Sequence, residues 1–260
     1  MASQPWLLQN EVATLHIEGL TGELRTAHLA TGISAFTWNH LPFSGHLLGV
    51  TVQTTATKSD PTEAPSLGDN RCHSAFVRGA DFIATLTPNS GQSDQQPFLS
   101  QVYWRAVAQE DSMILLDTII SVHTEQLESM PLINVCTQLE SDEVWLLDVK
   151  EGEKYSTDLL TSLHMPKTIA QRPVCAVMRG LANDWSYAEM THPEDLGICQ
   201  IQLTKSGCPI VQRQFGGQML EKGVIRRIRI RGVFLPRNHD LELAARCFAS
   251  MAAESPPLTT

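Results

Sequence analysis

What most constrains this chain is the repetition of one pattern: strand-sized segments with a period of two, set between short turns. TVQTTAT, ADFIATL, FLSQVYWRAVAQ, MILLDTIISVHTEQ, PLINVCTQLE, EVWLLDV, PVCAVMRG, WSYAEMTH, GICQIQLT, PIVQRQF and VIRRIRIRGVFL are all rich in β-branched or aromatic residues. Such segments suit a pleated, half-buried surface. The turn signals between them, among them NSGQSDQQP, QEDS, KSG and EKG, are short enough for hairpins and meanders, so most neighbours are predicted to pair antiparallel. One helical pattern stands out, in HDLELAARCFASMAAESPPLTT, where Leu241, Ala244, Ala245, Phe248 and Met251 recur at three- and four-residue spacing before a Pro-Pro stop. The predicted fold class is all-β, a large antiparallel β-sandwich with a short C-terminal helix. No composition shift marks a boundary, so residues 1–260 are expected to form a single domain. Two stretches break the strand register. Residues 58–73, KSDPTEAPSLGDNRCH, read as a surface loop long enough for a lid, and residues 158–173 hold room for one helical turn before Pro166.

Several function classes are disfavoured before any site is considered. No run approaches the ~20 apolar residues that span a bilayer. The first residues lack a basic segment followed by an apolar block, so a cytoplasmic location is expected and no membrane partner. A net charge of −9 argues against a nucleic-acid partner. The six cysteines form no C-x-x-C pair and read as buried thiols. There is no G-x-S-x-G, Walker A, H-E-x-x-H or dinucleotide fingerprint, and the nine histidines show no metal-ligand spacing. Neither a cofactor nor a metal is expected. Gly216-Gly217 reads as a bulge or a close backbone approach between strands.

What remains are polar groups concentrated on strands. In WSYAEMTHPED, Tyr187 and Glu189 share a strand face, and His192 follows three residues later where Pro193 ends the strand. That combination could form a general acid/base pair. RCHSAFVRGADF brings His73, Arg78 and Asp81 close in sequence beside Gly79. In QVYWRAV, alternation puts Tyr103 and Arg105 on one face and Trp104 on the other, pairing an aromatic ring with a cation suited to a carboxylate or sulfate. In VIRRIRIRGVF, Arg227, Arg229 and Arg231 fall together, opposite Arg226, Ile228 and Ile230. Like charges about 7 Å apart along a strand repel. The stripe therefore calls for carboxylates on neighbouring strands, with Asp117, Glu189 or Glu221 as candidates, or for an anionic ligand.

RGADFIATLTP, QVYWRAV, the LLDTIISVHTEQLESMPLINVCTQL hairpin and LEKGVIRRIRIRGVFLPR, spanning roughly residues 70 to 240, together resemble a bacterial family whose pattern is similar to the galactose mutarotase-like β-supersandwich. That is the fold of aldose epimerases and of β-sandwich domains in polysaccharide lyases and glycosidases. The resemblance implies a concave sheet face that commonly binds carbohydrate. It also implies histidines and a late glutamate around the sugar ring oxygen and anomeric hydroxyl. Here Glu221 is the late glutamate, and His73 and His192 are the histidines in earlier positions. The enzymatic version, an epimerase, mutarotase or lyase, makes His192 with Glu189 or Glu221 the proton-transfer pair. Its ligand-binding residues are His73, Arg78, Tyr103, Arg105, Arg227 and Arg229, and the arginines favour an acidic sugar. The alternative is a non-enzymatic structural or interaction module that assembles, for instance as a homo-oligomer, through the charged sheet face.

Overall fold

A computed structural model describes residues 4–54, 70–88, 98–109, 112–149, 155–160, 167–170, 172–180, 184–204 and 207–255. The chain opens with a meander of β1 (Trp6–Gln9), β2 (Val12–Ile17), β3 (Leu20–Arg25), β4 (Ser34–Trp38) and β5 (Leu41–Phe43), followed by β6 (Gly45–Thr54). Then come β7 (Arg71–Arg78), β8 (Asp81–Thr87), β9 (Leu99–Ala108), β10 (Ile114–His123), β11 (Glu128–Ser129), β12 (Pro131–Leu139), β13 (Glu143–Val149) and β14 (Tyr155–Leu159). The remainder comprises β15 (Lys167–Ala170), β16 (Cys175–Arg179), β17 (Trp185–Thr191), β18 (Ile198–Leu203), β19 (Pro209–Gly216), β20 (Leu220–Glu221), β21 (Ile225–Pro236) and the helix α1 (Asp240–Ala253).

A nine-stranded sheet, ordered β14-β13-β16-β17-β21-β10-β9-β8-β7, is the centre of the molecule. Its inner face packs against two five-stranded sheets, β1-β2-β3-β4-β5 and β15-β18-β19-β12-β6, through one continuous apolar cluster. Trp6 meets Phe82 at 5.8 Å between ring centroids, and Phe43 meets Trp185 at 4.7 Å. Trp104 is buried there and donates from Nε1 to the Leu48 carbonyl at 3.0 Å, which satisfies its one polar atom. The outer face carries a second cluster, in which Leu243, Phe248 and Met251 of α1 cover Val177, Met190 and Val233. Each such side chain contributes about 1.5–3 kcal/mol when fully buried. Because both faces are covered there, every residue of β17 is buried, whereas the edge strand β7 is mostly exposed.

All eleven sequence-predicted strand segments contain a strand, every strand pairing is antiparallel, and the predicted helix is α1. Five of the ten successive pairs of these segments are hydrogen-bonded neighbours, and in the other five the chain changes sheets. The stretch LLDTIISVHTEQLESMPLINVCTQL is not a hairpin: β10 lies in the nine-stranded sheet and β12 in the facing one. Between them, Glu128–Ser129 pairs with Leu220–Glu221, which draws the chain across from one layer to the other. Most of the 58–73 stretch, and the turn expected before Pro166, lie outside the described residues; Arg71–His73 belong to β7. Gly216 does mark a close approach: at φ +93 a Cβ would collide with the Pro131 carbonyl.

Candidate functional site

Between the sheets sits a buried ion pair. Arg213 on β19 donates from Nε to Glu189 Oε1 at 2.8 Å and from Nη2 to the Glu189 carbonyl at 2.9 Å. Its Nη1 reaches Thr191 Oγ1 at 2.7 Å. Thr137 donates to Glu189 Oε2 at 2.5 Å, and the Tyr187 hydroxyl does so at 3.3 Å. Burial, and next the Glu189 charge, push the Tyr187 phenol well above its ordinary value, so it stays a donor. The hydroxyl fits because Gly232 on the adjacent strand has no side chain; a Cβ there would collide with it. With every strong donor and acceptor matched and Glu189 fully buried, this cluster ties two sheets together.

The outer face of the nine-stranded sheet is organised in rows that run across the strands. One row is charged: Arg78 on β7, Asp81 on β8, Arg105 on β9, Asp117 on β10 and Arg231 on β21 stand in register. Arg105 grips Asp81 through Nε and Nη2, at 2.7 and 3.0 Å. Arg231 grips Asp117 through the same two nitrogens, at 2.7 and 2.9 Å. The next row is apolar and aromatic: Phe76, Ile83, Tyr103 and Ile119, ending at Arg229. A third holds Ser74, Thr85, Gln101, Ser121 and Arg227. Tyr103 donates its hydroxyl hydrogen to Gln101 Oε1, joining the second row to the third.

Where α1 covers this face, both of its ends are held by sheet arginines. Asp240, in the first turn, receives Arg179 at 2.8 and 2.6 Å and the Ser186 hydroxyl at 2.5 Å. Burial pushes the Asp240 carboxyl up, but the bonds from Arg179 and Ser186 outweigh it and hold it below the usual range. At the other end, Arg229 bonds Glu254 Oε2 at 2.7 Å and the Met251 carbonyl at 3.1 Å, and Arg231 bonds Glu254 Oε1 at 3.0 Å. The last helical turn leaves carbonyls without intrahelical donors and carries partial negative charge, so these guanidinium groups complement it. Burial works against the charged form of Arg231, yet Asp117 and Glu254 raise its pKa above the ordinary value.

The structure therefore separates the residues expected to act together. Glu189 faces the inter-sheet core, whereas His192 lies on the outer side, with Nε2 3.2 Å from the Glu254 carbonyl. Glu221 is exposed on β20, opposite Glu128. The three form no proton-transfer pair, because strand alternation and the extra step to His192 send Glu189 and His192 to opposite faces. His73 is the extra residue at an edge-strand irregularity, 2.7 Å from Thr87 Oγ1. Arg78, Tyr103, Arg105, Arg227 and Arg229 do share the outer face, although Arg229 is directed to Glu254 and Met251. A separate cleft of about 220 Å³, lined by Asp148, Ser156, Asp158, Ile169 and Arg172 among others, lies at the far edge of the sheet and includes none of these residues.

No protein-family model matches the sequence, and no curated protein matches it either. Solved structures do. A galactose mutarotase-like protein from Lactobacillus casei superposes with a TM-score of 0.53 at 8% identity, covering 86% of this chain and 99% of the other. This chain has the galactose mutarotase-like fold. A candidate aldose 1-epimerase from Klebsiella pneumoniae gives a TM-score of 0.51 at 8% identity, over 96% of this chain and 87% of the other. At such identity the likeness concerns the supersandwich architecture and not its chemistry.

Within this supersandwich, sequence reading overlooked Arg213, Phe76 and Glu254. Arg213 had a signal, since alternation in PIVQRQF places it with Val211 and Phe215 on a buried face. Phe76 had one as well, standing two residues before Arg78 as Tyr103 stands before Arg105. Glu254 had none, because its role depends on how the helix docks. Among the described residues no group of three His, Cys, Asp or Glu side chains could hold a metal ion, and no helix is long and apolar enough to cross a membrane. The cysteines are free thiols; burial pushes Cys136 up to about 11 and Cys175 up to about 12, so both stay protonated at neutral pH.

Proposed function

We propose that this protein binds carbohydrate on the outer face of its nine-stranded sheet, beside the area covered by α1, and favours an anionic sugar. The observation that carries the reading is the row of Gln101, Tyr103 and Arg105 at alternate positions of β9 on that face, with Ser121 opposite Gln101: an aromatic ring beside a guanidinium, an amide and a hydroxyl. A sugar presents apolar C–H faces and a rim of hydroxyls, and these side chains match both. The mutarotase-like fold supports the reading, since the two superposed proteins carry a mutarotase and an epimerase designation. Charge favours an anion: on the part of the face beside α1, Arg78 and Arg105 flank the Asp81 carboxylate in register. Assembly through the charged face has weaker support, because Arg229 and Arg231 already meet carboxylates of their own chain.

The test is isothermal titration with uronates and neutral hexoses against the native protein, Tyr103→Ala and Arg105→Gln. Uronate binding that both substitutions weaken at least fivefold supports the reading. Binding that neither substitution changes places the sugar elsewhere, and no binding across the panel removes the proposal.

A further inference from the structure

Two strands of the outer face carry the same unit. On β7, Phe76 precedes Arg78 by two positions, and on β9, Tyr103 precedes Arg105 by two. The register sets Phe76 and Tyr103 on either side of Ile83, and Arg78 and Arg105 on either side of Asp81. Both strands pair antiparallel with β8, so they run in the same direction. One unit therefore maps onto the other by a shift of two strand spacings, roughly 10 Å.

The groups between the units lie below the surface. Ile83 is 1% exposed and Asp81 5%, whereas Phe76 is 43% exposed and the Arg105 side chain 47%. Asp81 engages Arg105 through Nε and Nη2 and leaves Nη1 out of both bonds. A ligand laid across β7, β8 and β9 thus meets ring and guanidinium, then a gap, then ring and guanidinium again, with the carboxylate beneath.

We propose that this face binds an extended anionic glycan, seating three consecutive sugars. The first and third lie against Phe76 and Tyr103 and direct a carboxylate or sulfate to Arg78 and Arg105. The proposal rests on the carbohydrate-binding reading and adds to it a chain length and a charge period. Two sugar units of an extended glycan cover about the distance between the two ring–arginine units, so only every second sugar meets a cation. A planar guanidinium suits either anionic group. Occupying one unit holds the chain near the second, which raises affinity without any new kind of contact.

The experiment measures affinity against chain length, using D-glucuronate, a hyaluronan tetrasaccharide, in which uronate alternates with a neutral sugar, and cellotetraose as the uncharged chain. The tetrasaccharide is expected to bind at least tenfold more tightly than glucuronate and more tightly than cellotetraose. Phe76→Ala and Arg78→Gln, both at exposed positions and checked for folding by circular dichroism, should each bring the tetrasaccharide down to the level of glucuronate. Equal affinities for tetrasaccharide and glucuronate, or a gain that survives both substitutions, would overturn the proposal while leaving the carbohydrate-binding reading intact. Failure of every ligand, glucuronate included, would remove that reading and the proposal with it.

Discussion

The inner and outer faces of the nine-stranded sheet each hold arginine–carboxylate pairs, and the same chemistry does different work on each side. Inside, Arg213 and Glu189 are sealed between sheets and bonded through every available partner, hydroxyls included. Outside, the Arg105–Asp81 pair keeps its guanidinium half in solvent, while Arg231, Asp117, Glu254 and Arg229 form a partly covered clasp on the helix end. Desolvation makes the inner pair costly to break. The outer Arg105–Asp81 pair is buried only on its carboxylate side, so the solvent-facing half of the Arg105 guanidinium stays open to a ligand.

Breaking the inner pair should give the largest effect. Arg213→Met leaves Glu189 buried without its counter-ion and is expected to cost about 3–5 kcal/mol in urea unfolding. Adding Glu189→Leu should recover most of that loss, since a buried pair replaced by apolar groups is often neutral. A cost below about 1 kcal/mol for Arg213→Met, the level of an exposed pair, would erase the contrast between the faces. Asp117→Asn comes next, at about 1.5–3 kcal/mol, because Arg231 loses two charge-assisted bonds but retains Glu254. Arg105→Gln leaves the buried Asp81 carboxylate without its charged partner, although the guanidinium itself stands half in solvent, and is expected to cost about 1–2 kcal/mol in thermal unfolding. Its expected loss of uronate binding sets it apart from the structural arginines.

Glu254→Gln sharpens the comparison through pH. Burial raises the Glu254 carboxyl, but Arg231 and Arg229 more than offset this and hold it below its ordinary value. A depressed folded pKa means that the contribution is present above the unfolded value of about 4.3 and is lost as pH falls through the folded value. The native protein should therefore exceed Glu254→Gln in stability by about 0.5–1 kcal/mol at pH 7, with the gap closing under acid. A gap that does not change with pH would mean that the clasp is not electrostatic.

The strands of the sandwich were legible because each announces itself locally, through alternation and β-branched residues. The opening sheet, β1 to β5, was not. Its strands run for three to six residues, and two of its tight turns use Asn10-Glu11 and Asn39-His40 with positive φ in place of the familiar Asn-Gly signal. The face shared by Tyr103 and Arg105, and the one shared by Arg227, Arg229 and Arg231, could be read in advance from period-two alternation. The partners of those residues could not, apart from Asp117, one of three carboxylates that sequence reading offered.

By itself the sequence determined which side of each strand a residue occupies, because that is a local property of the pleated backbone. Only the tertiary structure decided what each face meets. It set Glu189 against a core arginine, and it brought the end of a helix to Arg229 and Arg231. It also left Arg105 half in solvent beside Tyr103. These outcomes depend on strand order and helix docking, which join residues far apart in the chain and are fixed by burying two apolar faces at once.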